Sequence, residues 1–312
     1  SNHTIIYMAI RRGPLAAPTD ATKVFFVDSG TAANNVLSTG FNPDMSIVGR
    51  TTGGSKYVGA RLTGSSAYLF TDSTAAEASY PGWTWDESNQ FKQGMYNANN
   101  VSWTWKRAPS YFDVVAYTGD GNAGRTVAHN LGVAPEMIWI KGRTLYGWVV
   151  YHKAIGNSKI INLNDSYFAY TQANFNNTDP TSSVFTLGSI AGTNGSNKTF
   201  IAYLFATVAG VSKVGSYTGS SSGVVTVDCG FTSGARFVLI KRTDASGDWY
   251  VYDSVRGINS SADDPYLLLN TTDAESTNTN NIEPHSSGFQ LTQQGSNPIS
   301  INGGSYIFYA IA

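Results

Sequence analysis

The string TVAHNLGVAPEMIWIK at 126–141 returns one hundred positions later as TVDCGFTSGARFVLIK at 226–241. A chain that repeats itself at such a period builds one supersecondary unit more than once, and the period sets the unit's size. Thr126 and Val127 match Thr226 and Val227, Ile140 and Lys141 match Ile240 and Lys241, and Tyr117-Thr118-Gly119 matches Tyr217-Thr218-Gly219. Beyond these the spacing grows by one, so that Trp148 and Tyr151 match Trp249 and Tyr252. A third copy comes first in the chain. Pro43-Asp44-Met45 followed by an apolar run echoes Pro135-Glu136-Met137, and YLFTDSTAAE at 68–77 aligns without gaps to YLLLNTTDAE at 266–275. In each copy a phenylalanine (Phe91, Phe185, Phe289) precedes a stretch rich in Gly, Asn and Ser. Each then closes on an aromatic strand: VSWTWK at 101–106, FIAYLFA at 200–206 and YIFYAIA at 306–312.

These matches divide the chain into repeats at 23–107, 112–207 and 211–312. The links between them, at 108–110 and 207–211, are too short to let neighbouring copies move freely. Residues 13–22 carry two prolines and no aromatics, and read as a linker. TIIYMAIRR at 4–12 reads as one more closing strand, so residues 1–12 are expected to end a preceding repeat and to lie at a sheet edge. The sequence then reads as a fragment of a longer protein.

Within the third copy, 211–217 alternates apolar and polar residues, as a half-buried strand does. RFVLIKR at 236–242 is almost continuously apolar, which predicts burial on both faces. WYVYDSV at 249–255 alternates again, and SGFQL and YIFYAIA complete about seven short strands separated by turn residues. A helical turn is expected at Thr271–Thr277, capped by Asp or Thr. No stretch keeps a 3.6-residue period over ten positions. The fold class is therefore all-β, as tandem β-sandwich modules of jelly-roll or lectin-like type. Composition agrees: 13% of residues are charged, where about 25% is usual. Thirty-two glycines and many Ser, Thr and Asn suit sheets and turns.

The net charge of -1 and the lack of a basic stripe argue against nucleic acid as a partner. No apolar run approaches the roughly 20 residues that a membrane-spanning helix needs, so membrane insertion is not expected. The single cysteine, Cys229, allows neither an internal disulfide nor a cysteine-based zinc site, and reads as a small buried apolar group.

Residues with catalytic chemistry are sparse. None of His3, His129, His152 and His285 stands at metal-ligand spacing. Asp244/Asp248 and Asp263/Asp264 lie in turn-like surroundings that explain them without a pair of glycosidase carboxylates. The chain is expected to be no enzyme and to hold no cofactor and no metal. Two clusters remain. Trp83 and Trp85, in a Pro/Gly loop beside Asp86 and Asn89, form a candidate glycan site: rings stack on sugar faces while polar neighbours bind hydroxyls. The competing reading is a loop packed on its own domain. Asp253 and Arg256 form a candidate polar ligand contact, with Arg61 as the counterpart of Arg256 in the first copy; the competing reading is a structural ion pair.

FDVVAYTGDGNAGRTVAHNLGVAPEMIWIK, then WYVYDSVRG, YLLLNTTDAE and the aromatic closing strand, resembles a repeat of tail-fibre and other virion-associated proteins of marine bacteriophages. The resemblance covers 112–312 clearly and 23–107 more loosely, since Gly49 stands where the other copies have a strand-ending lysine. It implies β-sandwich modules in a structural, receptor-contacting virion protein, located on the virion and binding host surface polysaccharide. It brings no catalytic residues. The implied partners are other virion proteins and further copies of the chain, as a homo-oligomer and often a trimer in fibres. Three copies in one chain can equally mimic a trimer. The alternatives are a secreted bacterial adhesin or carbohydrate-binding protein and, further off, a polysaccharide-degrading enzyme.

Overall fold

The strands of the first copy are β1 (Phe25–Ser29), β2 (Val36–Leu37), β3 (Met45–Arg50), β4 (Tyr57–Ala60), β5 (Ala67–Phe70), β6 (Ala78–Ser79), β7 (Phe91–Lys92) and β8 (Asn100–Trp105). Those of the second are β9 (Phe112–Thr118), β10 (Arg125–Ala128), β11 (Met137–Gly142), β12 (Trp148–His152), β13 (Lys159–Asn162), β14 (Tyr170–Thr171), β15 (Val184–Leu187) and β16 (Thr199–Phe205). Those of the third are β17 (Ser212–Thr218), β18 (Val225–Asp228), β19 (Phe237–Arg242), β20 (Trp249–Asp253), β21 (Leu267–Leu268), β22 (Ile282–His285), β23 (Gly288–Leu291) and β24 (Ser305–Ile311). This computed structural model describes residues 16–30, 36–85, 90–93, 98–260, 263–292 and 297–312.

Each copy builds the same pair of sheets. The large one runs β1-β8-β3-β4-β5-β6, then β9-β16-β11-β12-β13-β14, then β17-β24-β19-β20-β21; the small one is β2-β7, β10-β15 or β18-β23-β22. All pairings are antiparallel, and the central ladders share one register. Met45, Met137 and Phe237 face Trp105, Phe205 and Ile311, so equivalent residues are fixed along the chain. The fold class is thus all-β and sandwich-like.

The continuous apolar strands follow from two separate cores. On the outer face of the second copy, Ile138, Ile140, Phe200 and Leu204 pack with Val127, Phe185 and Leu187 of the small sheet. On the opposite face, Met137, Trp139, Tyr203 and Phe205 enter a cluster that also takes in residues of the first and third copies. β11 and β19 are accordingly buried along both faces, as their composition predicts.

That shared cluster closes the copies into a ring. The Glu77 N–H donates to the Arg143 carbonyl at 2.7 Å, the Ala169 N–H to Thr243 at 3.0 Å, and the Glu275 N–H to Thr51 at 2.9 Å. Thr51, Arg143 and Thr243 each follow the last residue of the equivalent strands β3, β11 and β19. The same bond therefore runs from first copy to second, second to third and third to first, which defines a pseudo-threefold axis. Aromatic contacts cross all three seams: Trp105 with Phe112 at 6.5 Å, Phe205 with Tyr309 at 5.0 Å, and Phe237 with Phe25 and Trp105 at 5.4 Å each. The copies are not strung out in a line.

The repeated motifs now have causes. The acid after the proline ties down the link to the next copy: Asp44 Oδ2 accepts from the Arg107 N–H at 2.7 Å, and Glu136 Oε2 from the Thr207 N–H at 2.9 Å. The tyrosine of Tyr-Thr-Gly donates its hydroxyl to the loop before the closing strand, from Tyr117 to Thr193 and from Tyr217 to Ile299, each at 2.7 Å. The glycine lets that loop approach, because a Cβ on Gly119 or Gly219 would collide with the carbonyl of Gly195 or Ile301.

At the junctions the chain turns back on itself through the bridges Ala108–Phe112 and Val208–Ser212. Ser110 and Gly210 hold the left-handed position of these turns, with φ of 62° and 71°. A side chain there costs roughly 1–2 kcal/mol, set against about 0.5–1 kcal/mol of extra chain entropy for glycine. Ser110→Gly is therefore expected to raise stability by about 0.5 kcal/mol. A thermal midpoint unchanged or lowered would count against this origin for the turn.

Two details differ from the sequence-based reading. Residues 271–277 form no helical turn. Their backbone groups are taken by the first copy instead, through Glu275 N–H to Thr51 and Gly54 N–H to Thr272. β22, not among the expected strands, is the edge of its sheet, where its Pro284 is tolerated. The strand expected at 4–12 lies outside the described residues.

Candidate functional site

Trp83 and Trp85 do not offer free ring faces. They are 1% and 4% exposed, stacked at 5.6 Å, and packed on Phe91 in the outer core of the first copy. The small sheet here pairs only two residues of each strand. β4 carries Gly59 where β12 and β20 carry Tyr151 and Tyr252. A Cβ on Gly59 would lie 2.6 Å from the Trp83 ring. The loop tryptophan thus fills the space that a strand tyrosine fills in the other copies. Stacking of a sugar on these rings is excluded by their burial. Asp86 and Asn89, their expected polar neighbours, lie outside the described residues.

Asp253 and Arg256 come together, but internally. Their side chains are 0% and 6% exposed and pair at 2.7 Å. Asp253 Oδ2 also accepts from Trp103 Nε1–H of the first copy at 3.0 Å. Arg256 bonds Glu275 at 2.6 Å and lies 5.3 Å from the centre of the Trp103 ring. The cluster locks the third copy to the first and leaves no face for a ligand. Arg61 is not its counterpart: the register places Ala60 at Asp253, hence Arg61 at Ser254, and Arg61 pairs with Asp44 at 3.2 Å.

Each seam also buries a lysine. Lys141 opposes Trp148 and Lys241 opposes Trp249 in the ladders. Lys141 Nζ reaches across to the Ala75 carbonyl of the first copy at 2.9 Å, and Lys241 Nζ donates to Gly247. In the first copy the corresponding rung is Gly49 and Lys56. The lysine has moved to the residue before the opposite strand, and its Nζ donates to the Thr271 and Asp273 carbonyls of the third copy at 2.8 and 2.9 Å. Gly49 suits that position, since a Cβ there would press on Leu267 at 2.7 Å and on the Trp103 ring at 3.1 Å.

Burial pushes Lys56, Lys141 and Lys241 down to about 8 from 10.5. The folded chain therefore releases these protons before the unfolded chain does, and stability rises with pH between about 8 and 10.5. Buried tyrosines such as Tyr250, pushed well above the usual phenol range by desolvation, act in the opposite sense near and above pH 10. A rising thermal midpoint from pH 8 to 9.5 is the expected result. A flat profile there would mean that the three amines are already solvated.

The clearest cleft, about 520 Å³, lies between the second and third copies. Glu136, Lys153 and Ala154 form one wall; β17 and Thr226–Asp228 form the other; His152 and Phe308 close the floor. His152 Nδ1 accepts from the Ala154 N–H at 3.1 Å, which starts the 3-10 turn Lys153–Ile155. Burial pushes its ring down to about 4, so it is neutral at neutral pH. Its other nitrogen lies beside the Phe308 backbone and completes no hydrogen bond. Lys153 pairs with Glu136 at 3.4 Å, whereas Lys213 on the opposite wall makes no ion pair among the described residues. No sequence pattern marks this cleft, because its walls belong to different repeats. The remaining singular groups are structural. His129 takes the Leu131 N–H at 3.3 Å and faces the Thr181 carbonyl at 3.2 Å. Cys229 is buried, its thiol pushed up to about 12 by desolvation. No three His, Cys, Asp or Glu side chains are grouped to hold a metal ion among the described residues, and no helix there is long and apolar enough to cross a membrane.

Three sandwich copies in a closed ring, with a common aromatic interior and the same backbone hydrogen bond across each seam, define a single-chain pseudo-trimer. The chain belongs to the family described as a domain of unknown function, DUF7483, which matches residues 18–312. The family's unit thus takes in all three copies together. No curated protein and no solved structure matches the chain.

Proposed function

We propose that the protein is a structural, receptor-contacting component of a bacteriophage virion, a tail fibre or similar appendage, that meets host surface glycans. The observation that carries this reading is the pseudo-threefold closure. One chain supplies the symmetry that a fibre otherwise obtains from three, so the ring suits a place at the end of a threefold assembly. The repeat's resemblance to virion-associated proteins supports the same setting. A body with a sealed aromatic interior and short links has few segments that open to proteases. The loops at the ends of its sheets are free to vary for recognition.

The test is direct. Antibodies raised against the chain are expected to label purified particles in electron micrographs and to block their adsorption to host cells. Detection of the protein only among a bacterium's secreted proteins would replace this reading with that of an adhesin or carbohydrate-binding protein.

A further inference from the structure

We propose that the cleft between the second and third copies binds a neutral saccharide unit. The inference rests on the receptor-contact reading and gives the glycan a place. The pseudo-threefold symmetry is broken at this seam in a way that opens it. The register places Ala154 where the first and third copies have Leu62 and Val255, both large and exposed. On the opposite wall Gly215 stands where the second copy has Val115, and the Phe308 ring takes up the space of the missing side chain. The small side chain at 154 therefore leaves this wall of the seam open.

The walls select the chemistry. Glu136 and Asp228 are balanced by Lys153 and Lys213, so the cleft carries both signs and no net field. Carboxylates accept and ammonium groups donate, and a hydroxyl satisfies either. β17 adds backbone groups, because it is the edge of its sheet. The Val214 N–H points away from that sheet, to Thr207 Oγ1 at 3.1 Å, and Ser216 in the same row faces the cleft. His152 closes the floor, its buried second ring nitrogen beside the Phe308 backbone. A volume of about 520 Å³ lies within the usual range for small-molecule sites. A strongly charged polymer would leave two of the four charges repelled, whereas a polyhydroxylated neutral unit uses all of them.

The experiment is a saccharide array probed with the full 312-residue chain, followed by calorimetric titration of the best neutral saccharide. Ala154→Trp fills the cleft from an exposed position. Leu62→Trp places the same bulk at the equivalent site of the first copy and serves as the control. Thermal melting shows that each variant folds. Binding of a neutral saccharide, weakened at least about tenfold by Ala154→Trp and unchanged by Leu62→Trp, is expected. Equal binding by Ala154→Trp, binding of acidic saccharides alone, or binding of none would overturn the proposal. Labelled particles without saccharide binding would remove the cleft and leave the virion reading. Ala154-sensitive binding by a protein absent from particles would do the reverse.

Discussion

Replacing Phe237 by alanine is expected to cost about 3–5 kcal/mol, the range for removing a buried aromatic without collapse of the site. Phe237 is 1% exposed and belongs by sequence to the third copy. Its ring nevertheless lies 5.4 Å from Phe25, 5.4 Å from Trp105 and 6.2 Å from Trp103, all of the first copy. The loss is therefore felt across a seam, and the whole chain is expected to melt earlier in one transition. Three independently folded sandwiches would respond otherwise. The third would melt early, the first two would keep their midpoint, and scanning calorimetry would resolve two peaks. Two peaks would contradict the shared interior.

The second large effect is expected from Asp253→Ala. The carboxylate accepts from Trp103 Nε1–H at 3.0 Å, from the Arg256 guanidinium at 2.7 Å and from the Val255 N–H at 3.1 Å, with no exposed surface. Removing it leaves Glu275 as the one carboxylate paired with the Arg256 cation among the described residues and takes away the acceptor of the indole N–H. Breaking one side of a buried pair costs about 3–5 kcal/mol. A urea midpoint lowered to that extent, with the slope unchanged, is the expected observation. Replacing Asp253 and Arg256 together by Leu and Met should recover much of the loss, because a buried pair exchanged for apolar groups is often neutral or better. A loss below about 1 kcal/mol for Asp253→Ala would show that solvent reaches this corner of the ring.

The strand set was legible because a strand announces itself locally, by alternation, by β-branched and aromatic residues and by the turns around it. WYVYD and YIFYAI needed no tertiary information. Ring closure was less legible, since burial on both faces of β11 and β19 says that something covers them without saying what. A clue was there in Lys141: a charge inside an apolar strand needs a polar cage, and the neighbouring copy supplies part of it through the Thr74 and Ala75 carbonyls. The lysine missing at Gly49 was recoverable only through the ladder, where Lys56 stands just before the opposite strand. Trp83 and Trp85 misled because a Pro/Gly loop usually lies on the surface. Gly59, sitting where its repeats carry tyrosine, was the sign that a ring from elsewhere fills the gap. Asp253 and Arg256 were correctly seen as a pair, but the partner that makes them structural, Trp103, is 150 residues away in the chain.

Closure of three repeats around one interior is the idea to which the mutational effects, the lysine titration and the seam cleft all return. Small-angle X-ray scattering of the intact chain reads it without any substitution. A ring of 312 residues packed as one body has a radius of gyration of about 20 Å by the scaling for compact domains. Three sandwiches of about 13 Å each, laid end to end, give about 30 Å by the same scaling. The smaller value is expected in dilute solution, and the larger one would contradict the ring.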